Sequence, residues 1–394
     1  MGITDPRPAV ENPVVAYLAT AFGPDSTTPM SPADVPLYQK IKMEHEYFKP
    51  DALNVVYVDY DLESVRERPG VAHQDKQGFM WSEISGGVLR LDTTTGDVKE
   101  YHMDPPYNRA GIHDIAVMPD GTIWGTLEGQ AGLYKFDPRT EKFETYVDSD
   151  AVAKYNLNKP VQKDPNVPFP GLTAENLPGA GQSGAARAHT PIMDHDGNIW
   201  TSGRPLKKFD VETKKFTFLS ADVPDSYGIT VDQKGMIWAT QLNSKDNQDL
   251  VMVDPRTMKV THYKTPDAAS YRRVHVDSKG MVWAADYFGG NASRFDPNTK
   301  TFKVFKLPGP MPTPYGWGVD HNDNVWYMSM YSGTIGRLDP KTGRVYEYPS
   351  PYYDGGARDM DEDSQGGMWY GAQPYFKIGY ARTRTDAEMH APGN

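Results

Sequence analysis

The chain has 394 residues, a formal net charge of −11 and no cysteine. Without cysteine there are no disulfides, thiolate metal sites or cysteine nucleophiles, and the acidic charge argues against nucleic acid or an anionic membrane as a partner, because both need a basic face. No apolar run reaches the roughly 18 residues that a membrane-spanning helix needs, so we predict no membrane span.

The chain begins with a polar, proline-rich leader, residues 1–53. We expect this leader, with a short helix around residues 36–48, to pack on the outside of the domain that follows. The first residues show no charged-then-apolar export signal. The sequence therefore predicts a periplasmic or secreted protein if such a signal was removed, and otherwise a cytoplasmic one.

A repeated phrase organises the chain after residue 69. Seven of the eight tryptophans follow a turn and an aliphatic residue or methionine, at steps of 43, 76, 38, 45, 43 and 43 residues. A period near 40–45 with a tryptophan in each copy is typical of a β-propeller blade, so seven copies predict seven blades. The seven tryptophans, which we expect to pack between blades, are Trp81, Trp124, Trp200, Trp238, Trp283, Trp326 and Trp369.

Each blade is predicted to contain four antiparallel strands, a to d, with the tryptophan on strand b. In blade two, strands a, c and d are predicted at residues 112–117, 132–136 and 142–147. The last blade lacks a strand d before the polar tail at 384–394. Residues 54–62 alternate β-branched and aromatic side chains, and we expect this strand to complete the last blade and close the ring. The fold class is therefore an all-β, seven-bladed propeller spanning residues 54–383.

The step of 76 residues contains one insertion, residues 148–187, between blades two and three. It is rich in proline and glycine and has no blade pattern. A long loop in a compact fold is often functional, and we interpret this one as a lid over the site described next.

The first residues of the innermost strands predict a site at one end of the channel. In such a blade the b–c loops and the d–a connections share one face, here called the top face, where strand a begins. The position eleven residues before each tryptophan therefore faces any pocket there. We call these seven positions the column; they are Gly70, His113, His189, Tyr227, Arg272, Tyr315 and Arg358. Two histidines, two tyrosines and two arginines are more polar and titratable groups than a purely structural set of positions would contain.

Other polar residues are expected around this column. They lie near strand ends and blade starts, and are His73, Glu83, Arg109, Asp114, Glu128, Arg187, Arg204, Gln241, Arg273, Asp286 and Tyr287. Structural interpretations stay open for two of them, because Asp286 could cap a loop and Glu128 could be a solvated loop residue. The acidic run 359–363 is interpreted as surface charge near a lower turn, with calcium binding as an alternative.

The repeat resembles that of the streptogramin lyase (virginiamycin B lyase) family, whose phrase is Asp-Gly-x-Ile-Trp followed by a strand and an Asp-Pro-x-Thr turn; residues 333–343 are the most similar copy. The resemblance covers residues 70–383 and implies a seven-bladed propeller that opens a cyclic depsipeptide at its ester by elimination, with Mg²⁺. The family's two working histidines match His113 and His189. Its acidic residue three after the tryptophan is matched by Asp286 alone.

Together, column and resemblance predict an enzyme of streptogramin-lyase type for a small anionic or ester-bearing substrate. His113 or His189 would be the general base, and Tyr227 or Tyr315 would protonate the leaving group or orient the substrate. The predicted Mg²⁺ ligands are Glu83, Glu128 and Asp286. The predicted substrate-binding residues are Arg187, Arg204, Arg272, Arg358, Tyr287 and Trp317.

Two other functions stay open. One is a metal-dependent lactonase or esterase on the same scaffold, resembling gluconolactonase and regucalcin propellers, which use Glu, Asn and Asp ligands; the abundance of histidine and arginine in the column counts against it. The other is a non-catalytic binding or sensor propeller, which would show aromatic patches without a cluster of titratable groups.

Overall fold

The computed structural model describes residues 49–62, 69–157, 186–241, 250–266, 270–309, 312–352 and 356–389. The predicted packing of the leader, its helix at 36–48 and most of the predicted lid lie outside these ranges. Within them the chain forms seven four-stranded antiparallel sheets and little helix. No described helix combines the length and the apolar character needed to cross a membrane.

The strands follow the predicted blade order. Blade one contains β2 (His73–Gln74), β3 (Met80–Ile84), β4 (Gly87–Leu91) and β5 (Val98–His102). Blade two contains β6 (Ile115–Val117), β7 (Ile123–Leu127), β8 (Gly132–Asp137) and β9 (Lys142–Tyr146). Blade three contains β10 (Arg187–Met193), β11 (Ile199–Arg204), β12 (Lys207–Asp210) and β13 (Lys215–Phe218).

Blade four contains β14 (Ile229–Val231), β15 (Ile237–Thr240), β16 (Leu250–Asp254) and β17 (Lys259–Tyr263), and blade five contains β18 (Tyr271–Val276), β19 (Val282–Asp286), β20 (Asn291–Asp296) and β21 (Thr301–Lys306). Blade six contains β22 (Pro314–Val319), β23 (Val325–Ser329), β24 (Thr334–Leu338) and β25 (Val345–Pro349). Blade seven contains β26 (Met360–Glu362), β27 (Met368–Ala372), β28 (Lys377–Thr383) and the N-terminal strand β1 (Val55–Asp61). The described helices are α1 (Ser149–Leu157), α2 (Asp386–Met389) and 3₁₀ turns at Pro50–Leu53, Glu128–Gln130 and Gln373–Tyr375.

The N-terminal strand closes the ring, as predicted. β1 pairs antiparallel with β28, from Val55 opposite Thr383 to Asp61 opposite Lys377. The inner strands contact one another in blade order, and β26 returns to β2. The seven-bladed propeller is therefore confirmed, and the outer edge that blade seven would leave open is paired.

The tryptophans pack between blades, and an aspartate holds most of them. In six of the seven blades an Asp six residues before the tryptophan accepts its indole N–H at 2.7–2.9 Å. The other carboxylate oxygen accepts backbone N–H groups of the a–b turn, as Asp232 does from Lys234 and Met236. In blade two this position is Met118. One carboxylate thus joins the turn to the core in each of the six blades.

We expect the Asp232→Asn variant to lower the free energy of unfolding by about 1–3 kcal/mol. The amide can still accept the turn N–H groups, but its NH₂ would face the Trp238 indole N–H and leave that buried donor unpaired. Urea denaturation measures the loss. Asp196→Asn, at an exposed position of the turn in blade three, is the control and should not change the midpoint; equal stability of both variants would contradict the proposed role of Asp232.

Irregular starts of three inner strands bring consecutive residues to the channel. The register between strands a and b shifts at Ala188/Pro191, Tyr271/Val274 and Pro314/Gly316. In a regular strand, neighbouring side chains point to opposite faces, but a bulge re-aims one of them. As a result, pairs such as Arg272 and Arg273 both reach the channel.

Candidate active site

The polar column converges at the top of the channel. The His113 and His189 rings lie 3.5 Å apart between centroids, and His189 lies 4.1 Å from the ring of Tyr227. The hydroxyls of Tyr227 and Tyr315 are hydrogen-bonded at 2.5 Å. Side chains from blades two, three, four and six therefore meet in one cluster.

Arg272 adds a cation to this cluster. Its guanidinium lies 4.0 Å from the ring centre of Tyr287, and 5.2 and 5.1 Å from those of Tyr227 and Tyr315. Nη1 donates a long hydrogen bond to the Tyr227 hydroxyl at 3.4 Å, while the buried Nε has no partner in the described part of the chain. No ion pair joins Arg272 to a described carboxylate, in contrast to Arg273, Arg358 and Arg187.

Arg358 is fixed by blade one. Its Nη1 donates to the Glu83 carboxylate at 3.2 Å and to the His113 carbonyl at 2.7 Å. Gly70 makes room for this contact, since a Cβ there would lie 2.6 Å from Arg358 Cδ. Burial raises the pKa of Glu83 to about 7, although Arg358 opposes the shift. This explains why blade one has glycine in the column.

A second layer of buried charge lies below the histidines, at the position ten before each tryptophan. Arg273 Nη1 donates to Asp114 at 3.2 Å and to Thr190 Oγ1 at 3.0 Å, and it approaches Asp359 at 4.0 Å. The Thr190 hydroxyl contacts Asp114 Oδ2 at 2.8 Å. Arg273 and Asp114 are almost completely buried. This ion pair crosses the channel from blade five to blade two.

A third layer, eight residues before the tryptophans, contains His73, His275 and Asp361. His73 Nδ1 lies 3.0 Å from Asp361, and His275 Nε2 lies 2.8 Å from Asp359. Burial opposes charge on both histidines, but their aspartate partners outweigh it and raise both pKa values. The prediction that the 359–363 run is surface charge is thus wrong for Asp359, whose side chain is largely buried beside His275 and Arg273, whereas the Asp361 side chain is 49% exposed.

The two column histidines are held neutral. Burial, followed by the charge of His189 and of Arg358, lowers the pKa of His113 well below its usual value. Burial and then Arg273 do the same for the pKa of His189. Among the tyrosines, burial raises the pKa of Tyr227, whereas for Tyr315 the nearby arginines outweigh burial and lower it. Neutral imidazoles beside a cationic ring are competent bases.

The remaining predicted site residues lie in the cluster, near its rim or away from the site. Tyr287 lies on Arg272, as given above, and Arg187 lies 3.6 Å from Glu128 at the rim. Arg204 lies 3.5 Å from Asp225, and no contact joins it to the ring within the described ranges. Trp317 lies away from the site: it is fully buried between blades five and six, and its indole N–H donates to the Trp283 carbonyl at 3.3 Å.

The predicted Mg²⁺ ligands do not form a donor set among the described residues. Asp286 accepts from the Ser270 and Gly289 N–H groups and from the Asn291 amide, so it caps a loop. Glu83 is occupied by the contacts given above. No group of three or more His, Asp or Glu side chains suited to a metal occurs in the described ranges.

Sequence reasoning finds only part of the layers below the column: it singles out His73, Asp114 and Arg273 but gives no role to His275 or Thr190. The sequence does contain a signal for these layers, since the residues ten and eight positions before each tryptophan can be tabulated as easily as those eleven positions before it. The sequence gives no reason, however, to expect that neighbouring residues face the same way. The bulges in the inner strands supply that reason.

The fold and the site define a class: a closed seven-bladed propeller with a His, Tyr and Arg cluster at the top of its channel. The model of the virginiamycin B lyase family matches residues 211–392. The resemblance predicted from the repeats is therefore confirmed for this part of the chain, whose fold is a seven-bladed propeller similar to that family.

Solved structures show the same fold at low sequence identity. A streptogramin B lyase structure matches with a TM-score of 0.68 and 18% identity, over 85% of this chain and 100% of that one. Virginiamycin B lyase from Staphylococcus aureus matches at 0.66 and 16%, over 84% and 100%.

The same fold also occurs in a different setting. The extracellular domain of a candidate hybrid two-component system from B. thetaiotaomicron matches at a TM-score of 0.61 and 13% identity, over 84% of this chain and 40% of that one. No curated protein matches the sequence significantly.

Proposed function

We propose that this propeller is a carbon–oxygen lyase for a small anionic or ester-bearing substrate bound in the top-face pocket. One observation carries the proposal: two buried, neutral histidines with ring centroids 3.5 Å apart lie beside Arg272, a cation without a carboxylate partner among the described residues. A neutral imidazole can remove a proton, and an unpaired guanidinium can receive the negative charge that results.

The reaction is a β-elimination. A histidine takes the proton on the carbon next to a carbonyl, and the electron pair of that C–H bond forms the new C=C bond. The C–O bond to the leaving carboxylate breaks, and its electrons leave with the oxygen. The products are an alkene, a carboxylate and a proton held on the imidazole. Arg272 stabilises the enolate oxygen, and Tyr315, with its lowered pKa, orients the same group.

Mg²⁺ enters this proposal only through the resemblance. When bound near an enolate it would act as a Lewis acid. Because Glu83 and Asp286 are occupied by N–H donors, we assign no step to it. Charge stabilisation is assigned to the arginines of the ring.

The rim indicates a substrate with an apolar part. Phe288 is 73% exposed and Tyr331 48% exposed, on the b–c loops of blades five and six. Phe288 packs edge-on against Tyr287 at 4.9 Å, and Tyr287 holds Arg272. Aromatic faces next to an unpaired guanidinium suit a ligand that carries a planar apolar group beside its anion.

The test is product analysis in ¹⁸O-water. Two kinds of candidate substrate serve: quinupristin, which accompanies a catalytically inactive virginiamycin B lyase from Staphylococcus aureus in its crystal structure, and a panel of aryl-substituted carboxylate esters. Elimination gives an alkene and an unlabelled acid. Label in the acid would establish a hydrolase instead, and binding without turnover across the panel would favour the binding propeller.

We expect Arg272→Met to weaken binding of benzoate, used as a probe anion, by at least about tenfold, because the charge-assisted hydrogen bonds are lost while the stacked volume is kept. Isothermal titration calorimetry measures this affinity. Arg294→Met, on strand c of blade five, is the control. Unchanged benzoate affinity in Arg272→Met would remove Arg272 from the anion site.

A further inference from the structure

We infer that Thr190, held by Asp114 and Arg273, fixes the tautomer of His189, so that Nδ1 carries the proton and Nε2 is the basic nitrogen. This assignment rests on the proposed function for its chemical use. It makes Thr190 and Asp114 positioning residues, and it selects one histidine of the pair and one nitrogen of its ring.

The hydroxyl of Thr190 has one hydrogen and three polar neighbours. Its oxygen lies 2.8 Å from Asp114 Oδ2, 3.0 Å from Arg273 Nη1 and 2.9 Å from His189 Nδ1. Arginine only donates, so this neighbour takes a lone pair of the hydroxyl. The remaining neighbours are a carboxylate and an imidazole nitrogen, and the single hydrogen must go to one of them.

The carboxylate takes that hydrogen. The pKa of Asp114 is lowered, because His73, 4.0 Å away, and the charge of Arg273, 3.2 Å away, outweigh its burial, so Asp114 is ionised and can only accept. If the hydroxyl pointed to His189 instead, two oxygen lone pairs would face each other at 2.8 Å. The hydroxyl therefore donates to Asp114 and must accept from His189, which places the proton on Nδ1.

The opposite nitrogen is then free for chemistry. His189 Nε2 is buried and has no hydrogen-bond partner within the described ranges. With the proton on Nδ1, this nitrogen carries a lone pair, on a ring whose centroid lies 4.1 Å from that of Tyr227 and 3.5 Å from that of His113. The same hydrogen bond stabilises the imidazolium once Nε2 has taken a proton, since that cation still donates through Nδ1 to an oxygen anchored by Asp114.

The bulge in β10 makes this arrangement possible. His189 and Thr190 are adjacent in the chain, and the register shift between Ala188 and Pro191 spans them both. In a regular strand, Thr190 would point to the opposite face from His189 and could not receive its N–H. The strand irregularity therefore pairs the base with its orienting group.

Two variants at position 190 test the inference. Thr190→Val keeps the shape and removes the hydroxyl, whereas Thr190→Ser keeps the hydroxyl. In ¹⁵N-histidine-labelled protein, NMR should show His189 with a protonated Nδ1 in the wild type and in Thr190→Ser. In Thr190→Val the Nδ1–H signal should be lost or shared with the other tautomer. A wild-type His189 protonated at Nε2 would overturn the inference.

Turnover gives the second readout. With a substrate in hand, we expect Thr190→Val to lower kcat on the order of 10²-fold with little change in KM, and Thr190→Ser to restore most of it. Asp114→Asn should resemble the valine variant, because its amide can donate to Thr190 and turn the hydroxyl toward His189. Near-wild-type kcat in both would overturn the positioning role.

The two readouts separate this inference from the proposed function. If the NMR tautomer is as assigned and depends on the hydroxyl, but no substrate is eliminated, the positioning stands and the lyase fails. If elimination occurs while His189 is protonated at Nε2, the lyase stands and the positioning fails. Circular dichroism and thermal unfolding of each variant verify that the fold is retained.

Discussion

Replacing His189 by alanine is expected to lower kcat by about 10²–10⁴-fold, the range typical of a positioned general base. Of the two column histidines, only His189 contacts Thr190. The Nδ1 atom of His113 is buried and has no hydrogen-bond partner in the described part of the chain. His113→Ala should have the smaller effect, chiefly through loss of the neighbouring ring, whose centroid lies 3.5 Å from that of His189. Steady-state kinetics on the substrate found by product analysis measure both.

The pH profile sharpens this prediction. Burial and the nearby arginines hold the pKa of His189 well below 6.5, so the basic form persists as pH falls through the usual histidine range. The acid limb of kcat/KM should therefore lie below about pH 6.5, where a solvated histidine base would already be protonated. His195→Ala, at an exposed position on the turn of blade three, is the control. Full activity in His189→Ala would eliminate this residue as the base.

Arg273→Met is expected to destabilise the protein by about 3–5 kcal/mol, because it leaves buried carboxylates without their cation. Asp114 would lose its contact at 3.2 Å and Asp359 its neighbour at 4.0 Å, deep in the channel. Guanidinium denaturation measures the loss. Arg273→Lys should recover part of it, since an ammonium keeps the charge but not the forked geometry.

A second variant separates charge from packing. If uncompensated charge is the cause, adding Asp359→Asn to Arg273→Met should return part of the lost stability. Arg256→Met, which removes an exposed partner of Asp254, should leave the midpoint unchanged. A small loss in Arg273→Met, similar to that of Arg256→Met, would show that the channel charges are solvated and do not depend on Arg273.

The regular parts of the fold could be predicted because their signals are local and periodic. The tryptophan period fixed the number of blades, and the alternation in residues 54–62 identified the strand that closes the ring. The eleven-before column was found for the same reason, since each blade begins at the same distance from its tryptophan. Its convergence, seen at His113, His189 and Arg272, follows from ring closure.

The rest of the site depends on contacts that no single period encodes. The sequence alone predicts that Asp359 is exposed, because the residues that neutralise it, Arg273 and His275, lie two blades away. The sequence also predicts Trp317 as a substrate-binding residue, yet it lies after the bulge in β22 and points between blades. Pairing across the channel is a property of the closed ring.

The Arg273–Asp114 ion pair also bears on how a ligand passes along the channel. Because this ion pair crosses the channel beneath the histidines, we expect a ligand that enters over Phe288 and Tyr331 to leave by the same route. A product of the proposed reaction that stays at this opening would then slow the next round of binding.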